Sequence, residues 1–347
     1  MSTSTLTGPP APVPADRAGE RPAPAGSSRG TGRVFWLIWR QSRAAVRLMV
    51  ILTVLAALLL LALHVLLQDR IELMHQTDCY QPRSWEDLGC RVQAGRVEML
   101  SRMFTDVLQP AVTAVPVLLG MFLGGPLLAQ EYERGTLRMV LAQSVTPRRW
   151  LAVRLAVPGA AVLLLSAALS VLTSWVWWSD IVHNPVAFDP PFQAFTYPVL
   201  GVAPVVWSLF GLALGVLVGQ LVRRTVAAVL VSGAVVAVAH AVVVAVRPYF
   251  WPRVSMEQPY DNLMSGFVQP ANAWLVEQGV VLPDGTRLTA AECVDASGAC
   301  ATAQASWGQF HPVSDLVPVQ LVEAGLLLVL TALVVAVVFR RLTRAGS

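Results

Sequence analysis

Six long apolar stretches recur along the chain, each about 20 residues long and almost without charge. As helices they would each cross roughly 30 Å, the thickness of the hydrocarbon core of a bilayer. Because each stretch is long enough to cross the membrane once as a helix, we predict an all-α, polytopic membrane protein with six transmembrane helices. The predicted spans cover about residues 48–67, 107–129, 151–178, 198–219, 225–246 and 320–339.

Composition supports the membrane assignment and excludes several chemistries. Of the 347 residues, 55% are hydrophobic and 13% are charged, against about 25% charged in soluble domains. All 25 basic residues are arginines, so the chain has no lysine for a phosphate-binding loop or a Schiff base. It also lacks the H-E-x-x-H and C-x-x-C patterns. We therefore expect no enzymatic activity, metal or cofactor in this chain. Because the basic residues lie in short groups beside the apolar spans, we also expect no nucleic-acid partner.

The distribution of arginines predicts the orientation of the spans, because positively charged loops stay in the cytoplasm. Thirteen arginines and two acids, Glu131 and Glu133, lie in residues 31–47 before span one, in the loops after spans two and four, and after span six. The other three loops are acidic on balance. We therefore expect both termini in the cytoplasm. The arginines are Arg33, Arg40, Arg43, Arg47, Arg134, Arg138, Arg148, Arg149, Arg223, Arg224, Arg340, Arg341 and Arg344.

All four cysteines fall in predicted outer loops, which agrees with this orientation because disulfides persist outside the cytoplasm. Their spacing suggests one bridge between Cys79 and Cys90 and another between Cys293 and Cys300. Each bridge would close a short loop and add about 3 kcal/mol of local stability if it acts through chain entropy. The alternative is four free thiols.

Two predicted outer loops, 68–106 and 247–319, are too long for simple connections and are expected to form an external cap. In the second, residues 280–288 place a Pro-Asp-Gly turn between two apolar runs, a pattern typical of a hairpin. At the start of the chain, residues 1–30 are rich in Pro, Ala, Gly, Ser and Thr, which predicts a disordered cytoplasmic tail. Residues 31–347 would form one transmembrane domain.

Residues 33–47, just before span one, predict an amphipathic helix. Its arginines share one face, and its aromatic and other apolar residues share the opposite face. Such a helix is expected to lie flat on the inner leaflet, with the arginines toward lipid phosphates. The alternative is a cytosolic extension of span one.

The inner segment 130–150, between spans two and three, carries the pattern most specific for function. Gly135 is able to break the helix that leaves span two, and Pro147 suits the first turn of the next helix. Arg148 and Arg149 follow in that first turn, where the helix dipole disfavours cations. Their placement therefore indicates orientation or partner binding. The alternative is an ordinary charged inner loop.

This segment resembles the coupling region of the permeases of type 2 ATP-binding-cassette (ABC) exporters. In both, a short polar helix after span two leads through Gly-Thr, apolar residues, Ser, Pro and Arg into span three. Six spans, a helix before span one and a large outer segment between spans five and six extend the resemblance over most of the chain. The long first outer loop with cysteines departs from the family pattern. The matching residues are Glu131, Glu133, Gly135, Thr136, Leu137, Leu141, Ser144, Pro147 and Arg148.

The resemblance implies a permease that forms a homodimer or heterodimer and engages a separate ATPase subunit through the inner segment. ATP and Mg²⁺ would be bound by that partner, which agrees with the absence of lysine here. The protein would be a multi-pass exporter subunit of a bacterial plasma membrane, in contact with membrane lipid. The implied coupling residues are Glu131, Glu133, Gly135, Thr136, Arg138, Ser144, Pro147 and Arg148.

Glycine rows predict close contacts between helices. Gly211, Gly215 and Gly219 in span four and Gly120 and Gly124 in span two form small-x-x-x-small patterns, which let helix backbones approach each other. Such rows pack either within one subunit or across a dimer. We favour packing within the subunit.

Ionisable residues within the spans are few. Glu323, His64 and His240 map near outer ends of spans, where polar groups reach water. For Glu323 we favour a position at the outer interface over a substrate contact, and for the two histidines we favour packing roles.

Two other classes of function compete with a permease. An ATP-independent carrier or channel would transport its substrate without a partner, and usually has inverted repeats or ionisable sites at the midplane, which we do not find in the sequence. A membrane sensor or scaffold would bind a ligand with its outer loops and would need a signalling partner.

Overall fold

The computed structural model describes residues 28–79, 87–135, 146–181, 190–259, 267–295 and 299–345. Within those ranges six helices are long and apolar enough to cross a membrane, as predicted. The fourth begins at Ala203, later than predicted, and has a proline in its first turn, where proline suits a helix start. Spans one to six are carried by the helices Ser28–Gln76, Leu88–Glu133, Pro147–Ile181, Ala203–Val222, Thr225–Val246 and Leu316–Ala345.

Span one is one continuous helix of 49 residues. A helix over residues 33–47 therefore forms, but it runs directly into the span, which is the arrangement of the alternative, a helical extension. Its orientation to a bilayer stays a prediction. Residues 28–30, which we assigned to the tail, already belong to this helix, and residues 1–27 lie outside the described part of the chain.

Inner and outer denote the two sides in the orientation predicted from the arginines. Over its described residues the first outer segment is largely helical, which corrects the prediction of a long loop over 68–106. Span one continues to Gln76, and the helix of span two begins at Leu88. Helices extend beyond the apolar stretches because their backbone hydrogen bonds are internal and polar side chains are solvated in water. The predicted Cys79–Cys90 bridge joins the two helices, with Cα atoms 5.1 Å apart.

Span two contains two wider, π-helical turns, Met103–Leu108 and Leu119–Gly124. Each is followed by a proline, Pro110 and Pro126, in the first turn of the next α-helical stretch. A proline removes one helix hydrogen bond and crowds the carbonyl four residues earlier, and a wider turn accommodates both effects. Span two thereby continues as one helix to the inner surface.

Span four is the central helix, and most of its residues are buried. Each glycine of its row, Gly211, Gly215 and Gly219, lies so close to a backbone carbonyl of span two that a Cβ atom would overlap with it. Gly120 provides one of these carbonyls. The predicted packing of the two rows within one subunit is confirmed.

The chain between spans three and four returns to the core at residues 190–202, most of which up to residue 200 are buried. Side chains of neighbouring spans bind its carbonyl groups. In span three Thr173 Oγ1 donates to the Val199 carbonyl at 2.6 Å, and in span six Gln320 Nε2 donates to the Leu200 carbonyl at 3.0 Å. This re-entering segment therefore fixes the outer ends of spans three, four and six relative to one another.

The segment between spans five and six contains an antiparallel sheet. Its strands β1 to β4 are Val254–Pro259, Trp274–Val281, Arg287–Thr289 and Ala305–His311. Among the described residues they are arranged in the order β1–β4–β2–β3. The predicted hairpin is confirmed, because β2 and β3 pair across the turn, where Gly285 has a φ of +82° that glycine adopts without strain. The predicted Cys293–Cys300 bridge follows, with Cα atoms 5.8 Å apart, and starts in the short helix Ala290–Asp295.

Candidate functional site

The predicted coupling segment leaves the bundle at the inner end of span two and returns at the start of span three. Gly135 has a φ of +67°, a left-handed conformation that ends helices and suits glycine. Pro147 begins the next helix, and the Thr146 carbonyl accepts the Trp150 N–H at 3.1 Å. Both ends of the segment therefore form as predicted. Three predicted coupling residues lie outside the described part of the chain: Thr136, Arg138 and Ser144.

Glu131 pairs with Arg154 across spans two and three. Nη2 of Arg154 donates to Oε1 of Glu131 at 2.9 Å, and the two side chains are 12% and 17% exposed, respectively. The guanidinium also lies 5.8 Å from the ring centroid of Trp150, within the range of a cation–π interaction. The pair joins the two helices that flank the coupling segment.

Glu133 reaches the start of span five. Its carboxylate accepts the backbone N–H of Thr225 at 2.8 Å and also accepts the Thr225 hydroxyl. Arg224, the residue before the helix, provides no side-chain cap, so Glu133 satisfies a helix N–H that has no partner within the helix. Its negative charge also suits the positive end of the helix dipole. The last turn of span two thus holds the N-terminus of span five.

A buried apolar cluster joins the same inner ends. Tyr132, partly buried against it, lies under the Arg223 guanidinium, which is 5.2 Å from the ring centroid. Because the cluster draws residues from spans two, three, four and six, these helices cannot shift independently at the inner surface. Its members are Leu128, Trp150, Leu151, Val216, Val338 and Leu342.

A second polar site is buried near the outer ends of spans four to six. Its centre is the carboxylate of Glu323, which is 1% exposed. It accepts the Tyr197 hydroxyl at 2.9 Å, Trp207 Nε1 at 2.7 Å and Arg247 Nε at 2.9 Å. Arg247 is 3% exposed and lies 3.8 Å from the ring centroid of Tyr197. Burial, followed by the neighbouring carboxylate, raises the pKa of Tyr197, so the phenol stays a neutral donor.

This cluster corrects the prediction for Glu323, which we placed at the outer interface with access to water. The carboxylate is instead buried, because its donors compensate for the loss of hydration. The signal in the sequence was Arg247, an opposite charge at the outer end of another apolar span, but 76 residues separate the pair. His240 packs against Trp207 with ring centroids 4.6 Å apart, and His64 packs against a tryptophan of span three at 4.7 Å.

Both polar sites join helices to one another. The inner one connects the coupling segment to spans two, three and five, and the outer one connects spans four, five and six to the re-entering segment. Over the residues that the structure describes, no group of three or more His, Cys, Asp or Glu side chains is placed to hold a metal ion. What the geometry provides is therefore a set of contacts through which helices position each other.

The family comparison covers the region that contains the coupling segment. A family model described as "ABC-2 membrane transporter related" matches residues 49–247, more than half of the 347-residue chain. The chain belongs to this ABC-2-related transporter family.

No curated protein and no solved structure matches the chain. The ABC-2 family match covers spans one to five, and with six apolar helices the chain fits a permease subunit of a type 2 ABC transporter. It is a multi-pass membrane protein and a transmembrane transporter subunit. Membership of the family implies partnership with an ABC ATPase subunit.

Proposed function

We propose that this chain is the permease of an ATP-driven exporter, which forms a homodimer or heterodimer and moves its substrate outward or between leaflets. The observation that carries the proposal is that, within an ABC-2 family match, the ends of the coupling segment are tied to spans two, three and five. ATP and Mg²⁺ would bind to the partner, because this chain has no lysine for a phosphate-binding loop. The arginine distribution supports cytoplasmic termini in a bacterial plasma membrane.

In this proposal the coupling residues have two different roles. The ATPase would contact Arg148, which is exposed, and the predicted residues Thr136, Arg138 and Ser144, which lie outside the described part of the chain. Glu131 and Glu133 would pass the displacement into the bundle, because their described contacts are with Arg154 of span three and Thr225 of span five. Gly135 and Pro147 would set the positions at which the segment bends.

The packing of the spans supports a route from the inner to the outer surface. A push on the coupling segment would tilt spans two and three. Span four would follow, since its glycine row packs directly against the backbone of span two. The outer ends of spans four, five and six would move together, since Glu323 links all three through Trp207 and Arg247. This is alternating access by rigid-body motion of packed helices.

Purification of the tagged chain in mild detergent tests the partnership. We expect an ATPase subunit with a P-loop to co-purify with the wild-type chain. Reversal of both carboxylates, Glu131→Arg with Glu133→Arg, should abolish its capture, because the coupling segment loses its contacts with spans three and five and is no longer positioned for the ATPase, while membrane insertion is retained. The matched control is Glu98→Arg, which reverses an exposed carboxylate on the outer side that is paired with Arg102. Capture by the double variant at the wild-type level would contradict the assignment.

Exchange of the two charges distinguishes a direct contact between Glu131 and the ATPase from an effect of Glu131 that passes through Arg154. The double variant Glu131→Arg with Arg154→Glu keeps an ion pair between spans two and three but places the opposite charge on each helix. If Glu131 acts through Arg154, the exchange should restore capture that either single variant loses. If Glu131 contacts the ATPase directly, the exchange should remain as defective as Glu131→Arg alone.

Reconstitution into vesicles tests the energy source. Vesicles that contain the permease, its ATPase and ATP should move substrate, and vesicles that contain only the permease should not. Accumulation of cargo by the permease alone would refute the proposal and favour an ATP-independent carrier. If Glu133→Gln keeps the wild-type rate of ATP hydrolysis but loses transport, Glu133 would act in passing the movement of the ATPase to the helices.

A further inference from the structure

An open depression lies where span five ends and the outer sheet begins. It is formed by residues 248–253 together with Gln309 of β4, and it has a volume of about 540 Å³. The helical part of span five ends at Tyr249, and β1 starts at Val254. The depression therefore lies at the level where an apolar span meets the outer aqueous phase, the depth of lipid headgroups.

Arg253 is the one charged residue among those that line the depression. Its Nε donates to the Pro248 carbonyl at 3.3 Å, and its Nη1 donates to Gln309 Oε1 at 3.3 Å. Both acceptors are neutral, and in the described ranges no carboxylate forms an ion pair with this guanidinium. A guanidinium has five N–H donors, so the Nη2 edge keeps donors for an anionic ligand.

The charged residues near the depression include two contacting pairs and Glu277, which lies opposite Gln309 in the register of β2 and β4. His311 Nε2 lies 3.2 Å from the same Pro248 carbonyl, and its Nδ1 lies 3.3 Å from Asp315. On the sheet, Glu257 forms an ion pair with Arg287. Arg253 is thus held in place by two neutral acceptors.

An exposed apolar stripe of span five leads directly to this arginine. Val238, Val242 and Val246 follow one another at four-residue spacing, so they share one face of the helix, and they are 63%, 56% and 41% exposed. Tyr249 follows and is 75% exposed. The Arg253 guanidinium lies 4.6 Å from the ring centroid of Tyr249. An apolar surface for acyl chains and a cation for a headgroup are therefore continuous.

We propose that this depression is a binding site for an outer-leaflet phospholipid, whose phosphate is bound by Arg253 and whose acyl chain lies along the exposed valines of span five. Trp251, 40% exposed, and Tyr249 flank the headgroup as aromatic residues do at membrane interfaces. Arginine suits the task because its planar fork matches phosphate oxygens. The site does not depend on the proposed transport function.

Equilibrium binding of a fluorescent phosphatidylglycerol to the full-length protein in detergent tests the site. The variants are Arg253→Gln, which removes the cation, and Gln309→Glu, which leaves Arg253 in place but engages it with a carboxylate. Both should weaken binding about fivefold, the equivalent of roughly 1 kcal/mol per arginine at a membrane surface. Arg287→Gln, which removes an arginine of the same sheet that is already paired, should leave binding unchanged.

Three outcomes would overturn the proposal. Wild-type affinity in both Arg253→Gln and Gln309→Glu would show that the arginine does not bind the lipid. An equal loss in Arg287→Gln would indicate a general effect of positive charge. Displacement of the lipid by millimolar inorganic phosphate would identify a free anion as the ligand. If Arg253→Gln fails to fold, Gln309→Glu alone decides between the first outcome and the proposal.

Discussion

The outer cluster around Glu323 and the inner contacts of Glu131 and Glu133 each place a carboxylate between helices, but they differ in how far that carboxylate is buried and in what stabilises it. Glu323 is 1% exposed and receives hydrogen bonds from three other parts of the chain. Glu131 keeps 17% of its side chain exposed, and Glu133 is exposed at the inner surface. A carboxylate without water requires nearly complete compensation by protein donors, whereas one beside water does not.

The difference in burial affects how easily the helices separate at each end of the bundle. Separation of spans five and six would leave a buried charge without its partner, which makes the outer ends of spans four to six costly to pull apart. At the inner surface, water replaces a lost partner, so contacts there break and form again at lower cost. The comparison favours a bundle whose outer ends move as a unit and whose polar contacts at the inner surface rearrange more easily, while the apolar cluster beside them keeps spans two, three, four and six packed together.

The largest expected effect comes from breaking the outer cluster. Glu323→Ala leaves the Arg247 guanidinium buried without its carboxylate, and we expect a loss of about 3–5 kcal/mol in the free energy of unfolding. Denaturant or thermal unfolding in detergent micelles measures it. Replacement of both partners, Glu323→Leu with Arg247→Met, should recover much of the loss. A loss no larger than that of the inner variants would contradict the contrast between the two regions.

The second-largest effect is expected where the glycine row of span four packs against the backbone of span two, between the two regions. Gly215→Ala would place a methyl group against the Gly120 carbonyl, and we expect a loss of about 1–3 kcal/mol because the backbones must separate. Gly325→Ala in span six is the matched control, since its added Cβ has nothing within 4 Å. The control should be neutral or slightly stabilising. Equal stability of both variants in the same unfolding assay would show that spans two and four are not tightly packed against each other.

A smaller effect is expected at the inner surface. Glu131→Gln removes a charged hydrogen-bond acceptor from Arg154 at a site that water partly reaches, and we expect a loss of about 1.5 kcal/mol. Unfolding in the same detergent measures the change. A loss that approaches the value for Glu323→Ala would mean that burial does not explain the difference between the regions.

The smallest effect is expected at an exposed ion pair on the outer side. This pair distinguishes the effect of burial on an ion pair from the effect of its position in the bundle. Glu98 and Arg102 form an ion pair on the outer side with side chains 61% and 67% exposed, respectively. Glu98→Gln should change the unfolding free energy by less than about 0.5 kcal/mol, because exposed ion pairs contribute little. A large loss in this variant would show that outer location, rather than exclusion of water, makes contacts strong.

The features that could be predicted from the sequence are those that depend on neighbouring residues. The six apolar lengths predicted the spans, the spacing of the cysteines predicted both disulfides, and a Pro-Asp-Gly turn predicted the hairpin. Gly135 and Pro147 predicted the ends of the coupling segment. Each signal acts over about 20 residues or fewer, through helix length, loop closure or the backbone conformation of a turn.

The partners of the buried and capping carboxylates were decided by tertiary structure alone. Glu133 caps a helix that begins 92 residues later, and Glu323 binds side chains 76, 116 and 126 residues away. The pattern of apolar residues limits which faces of a helix are buried, but it does not determine which helices become neighbours or at what height they cross. Packing sets both, and it thereby determines whether a given carboxylate ends beside water or within reach of an arginine.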